Sequence, residues 1–135
     1  MKNTISILIV DDEEVLRSLL EKILSREGYQ IKCAEDGVTA LEILREEPYD
    51  IVISDMQMPR MDGFELLRTI KSEFPNIGII IMTGFGDSYT VKDALLLGAD
   101  EYITKPFRSY EISLIVERAY WRMLSNKDQS TTEVS

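Results

Sequence analysis

The sequence predicts an α/β fold in which helices cover both faces of a parallel sheet. Five short apolar runs rich in isoleucine and valine alternate with segments of helical period. The run IGIIIM, at residues 77–82, has almost no polar alternation, which is typical of a strand covered on both faces. Five alternations of strand and helix without an internal repeat or linker indicate a doubly wound sheet with right-handed crossovers.

The predicted strands are the apolar runs themselves. They cover residues 5–10, 31–34, 51–54, 77–82 and 101–104. We expect the flavodoxin-like order 2-1-3-4-5, in which the first and third strands are neighbours at the point where the strand order reverses. The carboxyl ends of those two strands would then border the crevice in which such sheets bind ligands.

The helices are predicted from apolar residues that recur with helical period. The first helix has an apolar stripe that begins at Val15, and it stops at Gly28. The last helix has its stripe between Ile112 and Met123. Weaker helical patterns cover residues 38–47, 63–73 and 88–97, the last of them closed by Gly98.

Length and charge limit the class of protein. A chain of 135 residues most simply forms one domain, here predicted over residues 3–124. The polar segment 125–135 is predicted to be disordered, as a tail or as the start of a linker. A net charge of −9 disfavours binding to nucleic acid and anionic lipid. Because there is neither a signal-peptide pattern nor an apolar run of about 20 residues, we expect a cytoplasmic protein without a membrane segment.

Two residue types restrict the chemistry. The chain has no histidine, which excludes histidine-based zinc sites and catalysis by Ser-His or Cys-His pairs on this chain. Its one cysteine, Cys33, lies in a predicted strand and is interpreted as a small core residue. The sequence therefore predicts neither a disulfide nor a cysteine-based metal site.

Polar side chains follow four of the five predicted strands. Asp11 and Asp12 follow the first strand, Asp55 ends the third, Thr83 ends the fourth, and Lys105 follows the fifth. In a parallel sheet all of these strand ends lie along the same edge, so we expect the side chains to converge. The second strand, at the outer edge, is expected to contribute nothing.

Three converging carboxylates repel one another, and they do so more strongly in a dry site than in water. All-oxygen ligands with room for water suit Mg²⁺ better than zinc or copper. Lys105 would supply a second positive charge and Thr83 a hydroxyl. A metal, an ammonium and a hydroxyl around a carboxylate are what a phosphoryl group needs, because its transfer depends on positioning and charge neutralisation. One carboxylate would be the nucleophile.

The motifs VDDEE, ISDMQMPRMDG, IMTG and YITKPF, in this order over residues 3–124, resemble the receiver domain of bacterial two-component response regulators. The resemblance implies that Asp55 accepts a phosphoryl group from a sensor histidine kinase or a histidine phosphotransfer protein, with Mg²⁺ or Mn²⁺ as cofactor. It implies that Asp12 and Asp55 bind the ion together with the backbone carbonyl of Gln57. Asp11 would hold the ion through water.

The resemblance also implies how the site acts and reports. Thr83 and Lys105 would contact the phosphoryl oxygens, and Tyr102 would turn inward when Thr83 moves. The bond between Lys105 and Pro106 would be cis, since an X-Pro bond lowers the cost of that isomer. The face formed by the fourth helix, fifth strand and fifth helix would act on a partner protein, an output domain absent from this chain or a second copy. The domain would be regulatory rather than an enzyme, although it phosphorylates and dephosphorylates itself.

Several neighbouring residues have simpler interpretations. Glu13 and Glu14 are expected in the first helical turn, where negative charge offsets the helix dipole. Asp62 is expected to cap the third helix, and Asp87 the fourth. In the family, the residues two beyond Asp55 and two beyond Thr83 influence the access of water to the acyl phosphate. Phe85, the second of these, predicts slow loss of phosphate.

Three alternatives remain at this stage. A phosphatase of haloacid-dehalogenase type would need a second aspartate two residues after its nucleophile, where this chain has Gln57. A flavin-binding module would need backbone amides for phosphate after the first strand, and Asp11 and Asp12 would repel that phosphate. A third alternative accepts the receiver fold and treats the chain as part of a larger regulator.

Overall fold

The computed structural model describes residues 4–56, 58, 60–84 and 91–134, with the backbone alone for Val91, Ala94 and 126–134. Five strands form one parallel sheet in the order β2-β1-β3-β4-β5. They are β1 Ser6–Val10, β2 Gln30–Ala34, β3 Ile51–Asp55, β4 Gly78–Thr83 and β5 Glu101–Thr104. The predicted fold class and strand order are therefore confirmed.

Five helices connect or follow these strands within the described residues. They are α1 Glu14–Arg26, α2 Gly37–Glu46, α3 Gly63–Glu73, α4 Val91–Leu96 and α5 Ser109–Val134. None of them has both the length and the apolar character needed to cross a bilayer, as far as the structure describes the chain.

The core lies in two layers, one on each face of the sheet. Successive strand residues point to opposite faces, so β1 sends Leu8 and Val10 towards α2 and α3, and Ile7 and Ile9 towards α1 and α5. Every residue of β3 is buried, because this strand is central and covered on both sides. A one-residue slip of register would exchange the two layers, and burial of each large apolar side chain contributes about 1.5–3 kcal/mol against such a slip.

Local signals at the helix ends are largely as predicted. Gly28 follows α1 with φ +96°, a left-handed conformation that favours glycine. The side chain of Asp62 accepts a hydrogen bond from the backbone N–H of Glu65 at 2.9 Å, which caps α3. Glu14 lies in the first turn of α1, but Glu13 is the N-cap residue rather than part of that turn.

The length of α5 differs from the prediction. Residues 125–135 were expected to be disordered, whereas α5 continues to Val134. Residues 125–134 contain neither glycine nor proline, so no residue in this segment interrupts the helical backbone hydrogen bonding. The polar composition therefore did not indicate where the helix ends.

Candidate functional site

Asp11 follows β1, and its side chain is fully buried. One carboxylate oxygen, Oδ1, accepts a hydrogen bond from the backbone N–H of Glu13 at 2.8 Å. The other, Oδ2, has no hydrogen-bond partner among the described residues and lies 3.9 Å from Nζ of Lys105. Burial raises the pKa of Asp11 to about 6; the charges of Asp55 and Asp12 also raise it, against the hydrogen bond from Glu13. A buried carboxylate oxygen of this kind is costly unless a cation approaches it.

Asp55 and Lys105 form an ion pair at the same edge. Asp55 is the last residue of β3 and is buried, and Nζ of Lys105 donates a hydrogen bond to its Oδ2 at 3.0 Å. Burial lowers the pKa of Lys105, but the hydrogen bond to Asp55 and the charges of Asp55 and Asp11 outweigh burial and raise it. The lysine is therefore charged at neutral pH. Its peptide bond to Pro106 is cis, the isomer that the resemblance implies.

The carboxylates of Asp11, Asp12 and Asp55 fit a hard divalent cation. Each offers one oxygen, and these three oxygens lie within 4.8 Å of one another. Asp11 and Asp55 are buried whereas Asp12 is exposed, so the cluster has one side open to water. Mg²⁺ prefers such oxygen ligands and keeps several of its waters. Gln57, whose backbone carbonyl was predicted as a further ligand, lies outside the described residues.

Thr83 is buried and is the last residue of β4, the strand between β3 and β5. Its carbonyl oxygen accepts a hydrogen bond from the backbone N–H of Lys105 at 2.7 Å. The carbonyl oxygen of Met82 accepts one from the backbone N–H of Met56 at 3.2 Å. These two bonds join the ends of β3, β4 and β5, and they hold Asp55, Thr83 and Lys105 at fixed positions along the edge.

Tyr102 lies on β5, three positions before Lys105, where it pairs with Ile81 of β4. Its side chain is 38% exposed, so the ring is not packed into the core in this structure. Phe85 and Asp87, to which the sequence assigned effects on water access and on helix capping, lie outside the described residues.

The family model of the response regulator receiver domain matches residues 7–117. The chain belongs to this family. Receiver domains are regulatory domains of two-component systems, in which signalling depends on phosphorylation; they bind Mg²⁺ at an acidic pocket and interact with histidine kinases. The predicted family is thus confirmed.

Individual relatives agree with this assignment. Sporulation initiation phosphotransferase F of Bacillus subtilis is 41% identical over 120 residues, which cover 89% of this receiver domain chain and 96% of the relative. Regulatory protein AtoC of Escherichia coli is 39% identical over 84% of the chain, which spans only 24% of AtoC. The crystal structure of a response regulator receiver domain protein from Clostridium thermocellum superposes with a TM-score of 0.82 at 33% identity, covering 87% of this chain and 95% of that one. The chain spans about a quarter of the length of several curated relatives that it matches.

Sequence reasoning missed the contacts that hold the backbone of Asp55 in this receiver domain. The hydroxyl of Ser54 donates a hydrogen bond to the carbonyl oxygen of Asp55 at 2.9 Å. Gly63 packs so closely that a Cβ atom there would lie 2.3 Å from the same oxygen and 2.7 Å from Cα of Met56. A glycine at the first position of α3, where better helix formers are available, was the signal that could have indicated this close approach.

The backbone of Asp11 is held in a similar way, and one expectation needs correction here. A guanidinium nitrogen of Arg17 donates to the carbonyl oxygen of Asp11 at 2.6 Å. The backbone N–H of Asp11 donates to the carbonyl oxygen of Ala34, the last residue of β2, at 3.1 Å. The second strand was expected to contribute nothing, but its end positions Asp11 through this backbone bond.

Proposed function

We propose that this receiver domain is a phosphorylation-activated switch in which Asp55 accepts a phosphoryl group from the phosphohistidine of a sensor histidine kinase or a histidine phosphotransfer protein. The observation that supports this most directly is the cluster of three carboxylates with Lys105 bonded to Asp55 at the carboxyl edge of the sheet. Asp55 takes part in both features, because it offers an oxygen to the carboxylate cluster and accepts the hydrogen bond from Lys105.

The proposed transfer is an in-line displacement at phosphorus. A carboxylate oxygen of Asp55 forms the new P–O bond while the P–N bond of the phosphohistidine breaks, and the imidazole of the donor leaves. Lys105 moves its ammonium from Asp55 to an oxygen of the incoming group, and the Thr83 hydroxyl donates to another. Mg²⁺, held by Asp12, Asp55 and the carbonyl of Gln57 and through water by Asp11, would neutralise charge on the phosphoryl oxygens.

The switch is proposed to run from Asp55 to the face formed by α4, β5 and α5. Phosphorylation adds negative charge and acceptor oxygens, which bias an equilibrium between two loop arrangements towards the one in which Thr83 and Lys105 contact the phosphoryl group. The exposed ring of Tyr102 is proposed to turn inward as Thr83 moves. The output is a partner protein, an output domain or a second copy that contacts this face, and the receiver domain itself is proposed to contact neither nucleic acid nor membrane directly.

We place the receiver unit at residues 3–124 and its action in the cytoplasm of a bacterium. The family match ends within α5, at residue 117. Among the residues of α5 whose side chains the structure describes, Met123 is the last one buried in the core. The backbone of α5 continues beyond this point to Val134.

The proposal is tested with a small phosphoryl donor, which needs no identified kinase. Mg²⁺ with acetyl phosphate should add the mass of one phosphoryl group to the wild-type protein, and beryllofluoride should bind in its place. Asp55→Asn should abolish both responses, whereas Asp62→Asn, a nearby change that keeps the cap of α3, should abolish neither. An undiminished response of Asp55→Asn would overturn the assignment. Sustained turnover of phosphoesters would instead favour a phosphatase, although Gln57 cannot serve as its general acid.

A further inference from the structure

Arg60 has a backbone conformation that non-glycine residues rarely adopt. Its φ is +69°, in the left-handed region, where a residue with a Cβ atom is strained. Arg60 lies in the loop between β3 and α3, five positions after Asp55. Some other contact must therefore hold this residue in place.

That contact is an ion pair with Asp36, at the end of the turn that follows β2. A terminal guanidinium nitrogen of Arg60 lies 2.7 Å from Oδ2 of Asp36. The other oxygen of Asp36, Oδ1, accepts the backbone N–H of Thr39 at 2.8 Å and caps α2. The Asp36 side chain is only 8% exposed, and both of its oxygens are bonded. The N–H of Thr39 first, and then Arg60, lower the pKa of Asp36, so the carboxylate is charged at neutral pH.

Gly37 and Met61, which follow Asp36 and Arg60 in the sequence, also lie close together. A Cβ atom on Gly37 would lie 3.0 Å from the Met61 side chain, so the two backbone segments approach closely. At its start the loop is held by Met56, whose carbonyl oxygen accepts the backbone N–H of Gly63 at 2.8 Å. The described residues between Asp55 and α3 are thus anchored at Met56 and again at Arg60.

We infer that Asp36 and Arg60 are positioning residues of the receiver site, whose ion pair holds the loop after Asp55 and thereby sets Mg²⁺ affinity and the rate of phosphorylation. This inference rests on the proposed function. Glycine would adopt the backbone of residue 60 without strain, so the backbone alone does not require arginine there. The arginine side chain provides instead a tether to a buried carboxylate on another loop. The β2 side of the sheet contributes to the site in this indirect way.

The decisive variant is Arg60→Gly, because it relieves backbone strain and breaks the ion pair at once. If the ion pair had no influence on the site, Arg60→Gly would leave Mg²⁺ binding unchanged. The melting temperature would stay the same or rise, because glycine relieves the backbone strain. We expect instead an unchanged or higher melting temperature together with Mg²⁺ affinity about tenfold weaker, as for other groups that position metal ligands. Calorimetric titration of the unphosphorylated protein with Mg²⁺ measures this, and the rate of reaction with acetyl phosphate should fall in parallel.

A second variant examines the other partner of the ion pair. Asp36→Asn keeps an oxygen that accepts the N–H of Thr39, so α2 stays capped, but it removes the charge that holds Arg60. The double variant should bind Mg²⁺ no more weakly than either single variant, because both remove the same contact. Additive losses of Mg²⁺ affinity would show that the two residues do not act through one contact, and this would overturn the inference.

Arg45 and Glu73 provide the matched control. Their exposed ion pair also joins α2 to α3, with nitrogen-to-oxygen distances of 2.8 and 3.1 Å, but it does not involve the loop. Arg45→Gln should leave Mg²⁺ affinity and phosphorylation unchanged. An equal loss in Arg45→Gln, or wild-type behaviour of Arg60→Gly and Asp36→Asn, would overturn the positioning role while the wild type still takes up phosphate. A wild type that neither binds Mg²⁺ nor takes up phosphate would overturn the proposed function and this inference together.

Discussion

Lys105 donates a hydrogen bond to Asp55 at 3.0 Å, although β4 separates their two strands in the sheet. The contact is made because both residues stand at carboxyl ends of parallel strands, where a long side chain can reach across an intervening strand. In the same position the ammonium lies 3.9 Å from Oδ2 of Asp11. One cation therefore compensates two buried carboxylates of the cluster.

Replacing Lys105 by methionine should lower the free energy of unfolding of the metal-free protein and should slow its phosphorylation. The two carboxylates would lose their shared cation, and a hydrogen bond to a charged group contributes about 1.5–3 kcal/mol. Urea unfolding in a metal chelator measures this loss, and added Mg²⁺ should recover much of it. Equal stability of variant and wild type in chelator would show that Lys105 contributes no compensation.

Asp11→Asn should stabilise the metal-free protein at pH 7. The pKa of Asp11 rises from 3.8 unfolded to about 6 folded, so the folded state favours the protonated acid. Protonated Asp11 therefore stabilises the folded state fully below about pH 4, and this stabilisation is lost as the pH rises through about 6. A shift of this size corresponds to at most about 3 kcal/mol, and we expect the variant to gain about 1–3 kcal/mol in chelator.

The pH dependence separates this effect from a packing change. Unfolding free energies measured between pH 4 and pH 7 should diverge between wild type and Asp11→Asn, with the difference growing towards pH 7. The variant keeps the oxygen that accepts the N–H of Glu13. A constant difference across this range would show that ionisation of Asp11 is not its cause.

Gly63→Ala should destabilise the domain and disturb Asp55. The added Cβ would lie 2.3 Å from the carbonyl oxygen of Asp55, so the backbone must shift, at a cost of about 1–3 kcal/mol for overpacking. Gly78→Ala is the control, because its Cβ would have no atom nearer than 3.6 Å. Thermal unfolding of both variants, together with Mg²⁺ titration, should show losses for Gly63→Ala that greatly exceed those for Gly78→Ala.

Glu101→Ala should loosen α5 from the sheet. Glu101 begins β5 with a buried side chain, and its two carboxylate oxygens lie 3.1 Å from Arg118 and 3.0 Å from Arg122 on α5. Glu101→Ala removes both of these ion pairs, whereas Arg118→Ala leaves the pair between Glu101 and Arg122 in place. Hydrogen exchange in α5 should accelerate in Glu101→Ala, and much less in Arg118→Ala. Equal protection in both variants would contradict this role for Glu101.

The strands and the convergence of the main site residues were predictable because they depend on short-range patterns. Isoleucine-rich runs identify buried strands, and Gly28 and Asp62 end and begin helices through their own backbone and side-chain chemistry. Once the sheet is parallel, Asp11, Asp55 and Lys105 must lie at one edge. The length of α5 was not predictable in this way, because its polar end does not show where the helix stops.

The sequence by itself determined the parallel sheet, its strand order, the family and the residues at the carboxyl edge. Only the tertiary structure decided which of these residues touch. The bond between Lys105 and Asp55 joins residues 50 positions apart, and the one between Arg60 and Asp36 joins residues 24 positions apart. Such contacts, like the close approach of Gly63 to Asp55, depend on distances of a few ångströms between separate backbone segments. Local propensity and hydrophobic periodicity carry no information about distances of that kind.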